Sequence, residues 1–586
     1  MKSIKIYLIF LGLVNLFASN ALMPVDTADS EKNKLDNYIN KVKNSRTSKI
    51  QTNIDTTVNN VDSNVAITQA SELDSFRELV ENYTVFYEAT ETAKNSIKSQ
   101  NANTQISALN LFRELIKKGK GFHEAIAASK IALLAQNSDV QASALELLSE
   151  LVKYDKGFEL FEKDKEITKA IKTIKTTIKS KTPTTQISIL KLMREFVKRG
   201  KELDDAVQIA RTVMSNSNPE VKTTTLELLN ELIKNYVGFN EAIQAAKYGI
   251  NNSDENTQAA ALFLFVALVK KDKGFSEAIN AMKIGIKSKI PLTQASAFFL
   301  AIALVEKDEG LDEALLAAKI GIRSNNKLTQ IYALSLFIEL VKKDKGLSES
   351  IMAAKIGINV NDQLIQITSL SLFIELVKKD KGFTEAIQGA ITGIKQNMIA
   401  HTEELISLLF ERNKGLNEIY NAAKTGIDGL DTKAQTSALF LFIALVKNDQ
   451  RINEAIQATE KRIKSKTSEV QNAALLLLCE LVEKDQSLEE LIKKNKIDMI
   501  IQATKDGMLS DNTNIQSNAL KLFKALVKKL NSLFDSTSTP ISFATKIKTW
   551  GKKIIDVGNS IEEINGQKIL ELTEVIELQS KIEVAK

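Results

Sequence analysis

Residues 329–351, TQIYALSLFIELVKKDKGLSESI, decide the fold, because the same pattern returns at residues 365–387 as IQITSLSLFIELVKKDKGFTEAI. Alignment on the second residue of this pattern gives the equivalent positions Gln69, Gln105, Gln141, Gln186, Lys222, Gln258, Gln294, Gln330, Gln366, Thr402, Gln435, Gln471 and Gln516. Successive positions lie 36 residues apart, except for two intervals of 45 residues and one of 33. A fixed period of about 20 to 50 residues marks a solenoid or an array. The sequence therefore predicts about 13 tandem units.

Each unit is predicted to be a helical hairpin. Counted from the aligned position as zero, residues +3, +4, +6, +7, +10 and +11 are apolar and share one arc of about 160° on a helix, here called helix A. A glycine such as Gly346 follows where a left-handed turn ends the helix, and helix B begins after it. Neither helix covers its own apolar face, so the units must stack. We therefore predict an all-α, right-handed α-solenoid over residues 65–530, with two of its units enlarged to 45 residues and three helices.

Length and composition agree with this fold and exclude several functions. The 586 residues are too many for one hydrophobic core. Lys plus Arg number 78 against 72 Asp plus Glu, so the small net charge argues against a nucleic-acid partner. One Cys and two His exclude a disulfide framework and a Cys/His zinc site.

Two stretches resemble the last helix of an armadillo repeat. They are Asn218–Lys222 followed by Leu226–Leu232, and Ser138–Leu148. In the two 45-residue units, 158–166 and 488–496 look like the extra first helix of a three-helix armadillo unit. The 36-residue units are similar to two-helix HEAT or tetratricopeptide geometry. The chain has no regular Asn ladder and no Trp in the array, so armadillo peptide-binding residues are not transferred. The resemblance implies an α-solenoid that binds a protein or peptide partner.

The N-terminus has the features of a secretory signal peptide. Lys2 and Lys5 precede an apolar run from Ile6 to Phe17, and small residues precede a cleavage point after Ala21. Twelve residues reach only about 18 Å along a helix, too short to cross a bilayer. We expect residues 1–21 to be removed, residues 22–64 to be a flexible polar segment, and the product to be periplasmic or secreted.

The C-terminus is predicted to hold a linker at 531–544 and amphipathic helices at 545–586. Residues 545–556 combine four lysines with Ile547, Trp550 and Ile554. This segment could make peripheral contact with an anionic membrane, or it could dock as a helix that caps the array. The final helix could pack back on the array or pair with another chain. No apolar run is long enough for an integral membrane span.

A stripe of apolar residues is the candidate partner-binding site. Position +8 is polar in the first five units and apolar in the following seven, and position +5 changes in a similar way. The residues of this stripe are Phe263, Val266, Phe299, Ile302, Ile338, Ile374, Phe410, Phe440 and Ile443. They could form a groove for a partner, or they could pack successive A helices together.

Several recurring positions have structural interpretations. The Gln at position zero points toward the buried side, so we expect it to bond to the incoming loop or to a neighbouring unit. Glycines near the end of helix B, such as Gly285, either end the helix or admit a neighbouring backbone. The Glu at +9 is expected on a solvated face.

Nothing in the sequence indicates catalysis. His123 and His401 have no second ligand at metal-binding spacing, and Cys479 falls in the apolar register without a His partner. No catalytic, cofactor-binding or metal-binding residue is predicted, and no phosphate-binding glycine loop is present. We therefore expect a non-enzymatic protein.

The expected function is an exported, monomeric scaffold for protein–protein interaction. Abundant Lys, Ile and Asn suggest an AT-rich genome, so host proteins are candidate partners for a host-associated bacterium or parasite. The alternative is a structural component of the periplasm or cell envelope without a ligand groove.

Overall fold

The computed structural model describes residues 70–71, 73–78, 80, 86–535, 541–565 and 573–584. The predicted signal peptide and polar segment, residues 1–21 and 22–64, lie outside these residues. All regular structure in the described residues is helical, which confirms the predicted class. The described residues form two compact units, which divide between Ala128 and Ser129.

In the first unit, α1 (Phe86–Ser96) packs against α2 (Ala102–Lys117). The Asn101 side chain accepts a hydrogen bond from the Thr104 amide at 3.2 Å, and this N-cap starts α2. Gly121 has a φ of 67° and turns the chain into α3 (Phe122–Leu133). The boundary between the two units falls within α3.

The second unit repeats the hairpin. Its A helices are α4 (Ser138–Val152), α7 (Pro183–Lys198), α9 (Pro219–Lys234), α11 (Glu255–Lys270), α13 (Pro291–Glu306), α15 (Lys327–Lys342), α17 (Gln363–Lys378), α19 (Ile399–Glu411), α21 (Thr432–Lys447), α23 (Ser468–Glu483) and α26 (Thr513–Asp535). Its B helices are α8 (Leu203–Val213), α10 (Phe239–Ile250), α12 (Phe275–Ile286), α14 (Leu311–Gly321), α16 (Leu347–Ile358), α18 (Phe383–Lys395), α20 (Leu416–Asp428) and α22 (Ile452–Arg462). Neighbouring A helices pack together, and each of these B helices packs against the next A helix. All of them except α20 also pack against the A helix that precedes them in the chain.

The starts of the A helices follow the spacing found in the sequence. From α7 to α19 they begin at 183, 219, 255, 291, 327, 363 and 399, which gives six intervals of 36 residues. In the first enlarged unit, α5 (Asp155–Lys163), α6 (Lys165–Thr176) and a 3-10 turn (Ile178–Ser180) separate α4 from α7. In the second, α24 (Asp485–Lys493) and α25 (Ile497–Met508) separate α23 from α26. The sequence placed the extra helices at 158–166 and 488–496, and α5 and α24 each begin and end three residues earlier.

The short interval of 33 residues removes one turn of an A helix. α19 has 13 residues where the other 36-residue units have 16. α19 packs less extensively against α21 than other neighbouring A helices pack against each other. Polar contacts bridge the two helices, with Lys447 and Glu403 forming an ion pair at 2.7 Å and Asn448 donating a hydrogen bond to Ser407 at 3.3 Å.

The turn between A and B helices depends on left-handed residues. Gly274 has a φ of 67°, and Asp272, two residues earlier, has a φ of 60°. A residue without Cβ adopts this conformation at low cost, and the turn allows α12 to fold back on α11.

Gly285, near the end of the B helix α12, provides close approach and does not end the helix, which continues to Ile286. A Cβ built on Gly285 would lie only 2.7 Å from the Cβ of Ala297 in the next A helix. Of the two interpretations left open by the sequence, the structure therefore supports the second at this position.

The recurring Gln makes both kinds of bond expected of it. Gln330 Nε2 donates to the carbonyl of Ser324 in the incoming loop at 2.8 Å. Gln294 Oε1 accepts from Thr329 Oγ1 of the next unit at 2.7 Å. The same side chain thus satisfies a loop carbonyl and ties neighbouring units together.

A second set of bonds joins the C-terminal ends of successive A helices. Lys343 Nζ donates to the Glu306 carbonyl of the preceding A helix at 3.2 Å and to the Asp308 carboxylate at 2.8 Å. Lys379 repeats the arrangement with the Lys342 carbonyl and Asp344, at 3.0 and 2.9 Å. A cation here satisfies carbonyls that lack a partner within their own helix.

The expectation for the Glu at +9 is wrong in two units. Glu150 and Glu195 are buried, and each pairs with a lysine three residues later, Lys153 at 2.6 Å and Lys198 at 2.8 Å. The lysine lies over the carboxylate and covers it, which a face assignment from helical angles does not anticipate.

The C-terminal helices cap the array. In α27 (Ile541–Asn565) the side chains of Ile547, Trp550 and Ile554 are buried, and α27 packs on α25 and α26. The structure therefore supports the capping interpretation of 545–556 over the membrane interpretation, because its apolar face is already covered.

The final helix, α28 (Thr573–Val584), packs back on α26 and α27. The predicted linker at 531–544 is shorter than expected, since α26 continues to Asp535 and α27 begins at Ile541. Among the described residues, no helix is both long enough and apolar enough to cross a membrane.

Candidate functional site

A groove of about 760 Å³ lies between the N-terminal halves of the A helices α9 and α11. We call it the A-face groove. Its lining residues are Asn218, Pro219, Glu220, Thr223, Leu226, Glu227, Asn230, Asp254, Asn256, Ala259, Ala260, Phe263 and Leu292. α9 supplies most of the polar wall, α11 supplies the apolar wall, and Leu292 reaches in from the start of α13.

Helix capping fixes part of the polar wall. The Asn218 side chain accepts a hydrogen bond from the Val221 amide at 3.1 Å. The Asp254 carboxylate accepts from both the amide and the hydroxyl of Thr257 at 2.8 Å. Because these side chains hold the first turns of α9 and α11, their positions are set before any ligand arrives.

The carboxylates give the groove an acidic character. Glu220, Glu227 and Asp254 line it, and none of its lining residues is Lys or Arg. Glu227 forms an ion pair with Arg194 of α7, whereas no ion pair in the described part of the chain engages Glu220 or Asp254. A ligand that carries positive charge is therefore favoured over one that carries negative charge.

The apolar wall is open because small residues follow Gln258. Ala259 and Ala260 leave space beside α9, and the ring of Phe263 is 46% exposed above them. The corresponding positions two units later are Ile331 and Tyr332. These side chains are larger, and Tyr332 is buried between its neighbours.

Aromatic rings continue from the groove into the next units. The centroids of Phe263 and Phe299 are 6.2 Å apart, and those of Phe299 and Tyr332 are 5.1 Å apart. Tyr332 is buried, so the row of rings begins exposed at the groove and ends within the protein.

The nine residues of the predicted partner-binding stripe differ in their exposure. Phe263 is exposed and lines the A-face groove. The stripe residues that are buried are Val266, Ile374 and Ile443. Those that are half-buried are Phe299, Ile302, Ile338, Phe410 and Phe440. The structure does not bring all nine together as one open groove. Binding of a partner by these residues stays a prediction.

The sequence identified one position that lines the groove, position +5, but did not identify most of the other lining residues. It identified the change from Glu227 to Phe263 at position +5, and this change coincides with the groove. It did not identify Pro219, Thr223 or Leu292. The pair Ala259–Ala260 was not a sufficient signal, because the next unit has similarly small residues, Ala295 and Ser296, at the same positions.

The titratable residues singled out in the sequence lie apart. His123 is exposed on α3, and His401 is half-buried on α19. Burial raises the pKa of the Cys479 thiol to about 12, so the thiol stays protonated at neutral pH and is a poor nucleophile. In the described part of the chain, no three His, Cys, Asp or Glu side chains are placed to hold a metal ion.

Comparison of the sequence with known proteins gives no match. No protein-family model matches the chain, and no curated protein matches it either.

Solved structures do match the fold. The crystal structure of Kap121p aligns with a TM-score of 0.55 and 15% sequence identity, covering 85% of this chain and 56% of that one. A crystal structure of importin beta aligns with a TM-score of 0.54 and 11% identity, covering 87% and 71%. Kap121p bound to Ste12p gives a TM-score of 0.53 and 11% identity, covering 84% and 55%.

These alignments establish the class of fold. The chain is an armadillo/HEAT-like α-solenoid, as the repeat predicted, and it spans little more than half the length of Kap121p. Identities of 11–15% support a shared architecture and no shared function.

Proposed function

We propose that this protein is an exported, non-enzymatic scaffold that holds a segment of a protein partner in the A-face groove. The observation that carries the proposal is the half-exposed ring of Phe263 beside an open space of about 760 Å³. An aromatic side chain next to an unfilled concave surface is the usual form of an anchoring site.

The lining indicates the chemistry of the partner segment. Phe263, Ala260 and Leu292 offer apolar contact, and Glu220 and Asp254, at the starts of α9 and α11, add carboxylates to the lining. A segment with one large apolar side chain and neighbouring Lys or Arg residues satisfies both walls. Binding should weaken as salt is raised, since exposed charge pairs are screened over about 8 Å at physiological ionic strength.

The fold supports a protein as the ligand. Kap121p, an α-solenoid of similar architecture, was crystallised bound to Ste12p. Stacked hairpins present many side chains along an extended surface, which suits protein recognition better than catalysis.

Export is proposed from residues 1–21, whose basic start, apolar run and small residues before Ala21 fit a secretory signal peptide. Mass spectrometry of the protein from its native source would test this directly. A mature N-terminus at Leu22 in a periplasmic or extracellular fraction is the expected result, and an intact Met1 in a cytosolic fraction contradicts export.

Site-specific photocrosslinking tests the groove. A benzophenone amino acid replaces Phe263 in one variant and Leu430 in a matched control, because Leu430 is 99% exposed and lies far along the chain. In extracts of the native source, we expect one stoichiometric partner to crosslink at position 263 and not at 430.

Two outcomes contradict the proposal. The same proteins captured at both positions indicate non-specific contact. Capture of only a second copy of this chain indicates self-association and supports the structural alternative.

A further inference from the structure

Four consecutive B helices carry an exposed apolar column on the second unit. Tyr248, Ile284, Ile320 and Ile356 are each 42% to 59% exposed, and they recur at intervals of 36 residues on α10, α12, α14 and α16. The same register holds Thr212 on α8 and Thr392 on α18. The apolar column is therefore confined to these four helices.

The local sequence explains why these side chains point outward. The four helices end in AAKYGI (245–250), AMKIGI (281–286), AAKIGI (317–322) and AAKIGI (353–358). In each, the two residues before the Lys, the Gly and the last Ile are buried, while the Lys and the following Ile or Tyr are exposed. The glycine faces the next A helix at close range, as Gly321 does with Ala333. Close packing on one side fixes the Lys and the apolar residue on the other side.

Two further apolar side chains widen the column. Leu316 is 57% exposed and Met352 is 65% exposed, and each lies four residues before a column residue on the same helix. Side chains four residues apart occupy one face of a helix. Together the six side chains form what we call the B-face patch.

Cations border the B-face patch. One exposed Lys precedes each column residue, and the exposed Lys287 and Arg323 lie just after the ends of α12 and α14. Lys283 and Lys319 form ion pairs with Glu313 and Glu349 of the adjacent B helices, at 3.1 and 3.7 Å. Within the described part of the chain, no ion pair engages the other four cations, Lys247, Lys287, Arg323 and Lys355.

We infer that the B-face patch binds the surface of a membrane that contains anionic lipids. Protruding apolar side chains next to Lys and Arg are the arrangement by which interfacial segments insert below the headgroups while their cations contact lipid phosphate. Neighbouring packed helices are about 10 Å apart, so the column extends over about 30 Å and reaches several lipids at once. The charges complement an anionic surface, and the side chains protrude and do not line a groove, which favours a lipid surface over a peptide.

Vesicle partitioning of the full chain tests the inference. The probes are vesicles of phosphatidylcholine alone and vesicles with about one third phosphatidylglycerol. We expect partitioning onto the anionic vesicles to fall by about tenfold or more in the variant Ile284→Ser/Ile320→Ser/Ile356→Ser. The matched control Leu430→Ser, which changes an exposed apolar residue between α20 and α21, should bind like the unchanged chain.

Two further measurements keep the test decisive. All chains carry residues 1–21, so lipid binding through that segment is common to every variant. The variant Ile320→Trp reports insertion directly. Its added tryptophan emission should shift to shorter wavelength with anionic vesicles, and in about 0.5 M NaCl the emission should return to the wavelength seen without vesicles. Circular dichroism checks that each variant is folded.

Equal partitioning of the triple Ser variant and the unchanged chain overturns the inference, as does an Ile320→Trp emission that vesicles leave unchanged. An acidic amphipathic peptide could instead bind the unchanged chain and not the triple Ser variant, while both chains bind vesicles equally. That result assigns the patch to a protein partner and also overturns the inference. None of these outcomes bears on the A-face groove, which lies on different helices.

Discussion

The interface between α9 and α11 and the interface between α13 and α15 are built in the same register, yet the first is open and the second is filled. At position +2 the first has Ala260 and the second has Tyr332, which is only 6% exposed. At position +5 of the preceding helix the first has Glu227 and the second has Phe299, whose ring contacts that of Tyr332.

The comparison shows that one or two side chains on a constant backbone pattern decide between a binding surface and a packed interface. The helices keep their spacing through buried positions that are common to all units, so outward positions are free to differ.

Tyr332→Ala should produce the largest change in stability. Removing a buried ring that contacts Phe299 leaves a cavity in the filled interface, and we expect a loss of about 3 kcal/mol in the free energy of unfolding. Urea denaturation followed by circular dichroism measures it. A loss below about 1 kcal/mol would show that the neighbouring side chains collapse into the space.

Gly321→Ala and Gly249→Ala should differ although both glycines have the same register. A Cβ on Gly321 would meet the Phe298 ring and lie 2.7 Å from the Cβ of Ala333. A Cβ on Gly249 would lie 2.7 Å from the Cβ of Ala261 and 3.0 Å from Leu226. Because Leu226 borders the open groove and can shift into it, we expect a cost of about 1 kcal/mol at Gly249 and about 2 kcal/mol at Gly321.

Thermal denaturation of the two glycine variants measures the difference. Equal losses would mean that the shared alanine contact sets the cost and that the groove gives no freedom to Leu226.

Ala260→Tyr should close the groove with little change in stability. The new ring occupies the space that Tyr332 fills two units later, and it enters an existing opening, so we expect a change within about 1 kcal/mol. Binding of the partner identified by crosslinking should be lost. Gln244→Tyr, at an exposed position on α10, is the control and should bind normally; retained binding by Ala260→Tyr would place the partner elsewhere.

Tyrosine ionisation should give the smallest effect. Burial raises the pKa of Tyr332, whereas a hydrogen bond with Lys271 lowers the pKa of the exposed Tyr236. Tyr236 should therefore lose its proton first in a titration followed by ultraviolet absorbance, and Tyr236→Phe should remove that early step.

The raised pKa of Tyr332 also links stability to pH. A raised folded pKa means that its contribution is complete below the unfolded value of about 10 and is lost as pH rises toward the folded value. Above about pH 10, the stability of Tyr332→Phe should therefore fall less steeply than that of the unchanged chain. An unchanged slope would show that other groups control alkaline unfolding.

The repeat register was predictable because buried positions recur with a fixed period. The pattern around Gln330 predicted the hairpin and the turn at Gly346. The two intervals of 45 residues indicated the extra helices of the enlarged units. The sequence could not fix the end of α26 at Asp535, because polar residues such as Asn531 are compatible with both helix and linker.

The functional surfaces were harder to predict because exposure depends on the neighbouring helix. Val266 and Phe263 are both apolar and three residues apart, yet the structure buries the first and exposes the second. Ile320 could not be separated from core isoleucines such as Ile322 by composition alone. Only the packed positions of Gly321 and the next A helix show which of the two faces outward.

The bonds that join the ends of the A helices give the array a direction. Lys343 donates a hydrogen bond to the Glu306 carbonyl of the preceding A helix, and Lys379 donates one to the Lys342 carbonyl of the A helix before its own. As the chain leaves the ribosome, α13 and α15 therefore each receive this hydrogen-bond donor only when the following A helix has been synthesised. A truncation after α14 or α16 leaves α13 or α15 without that donor, so these shortened fragments should fray first at their newly created C-terminal end.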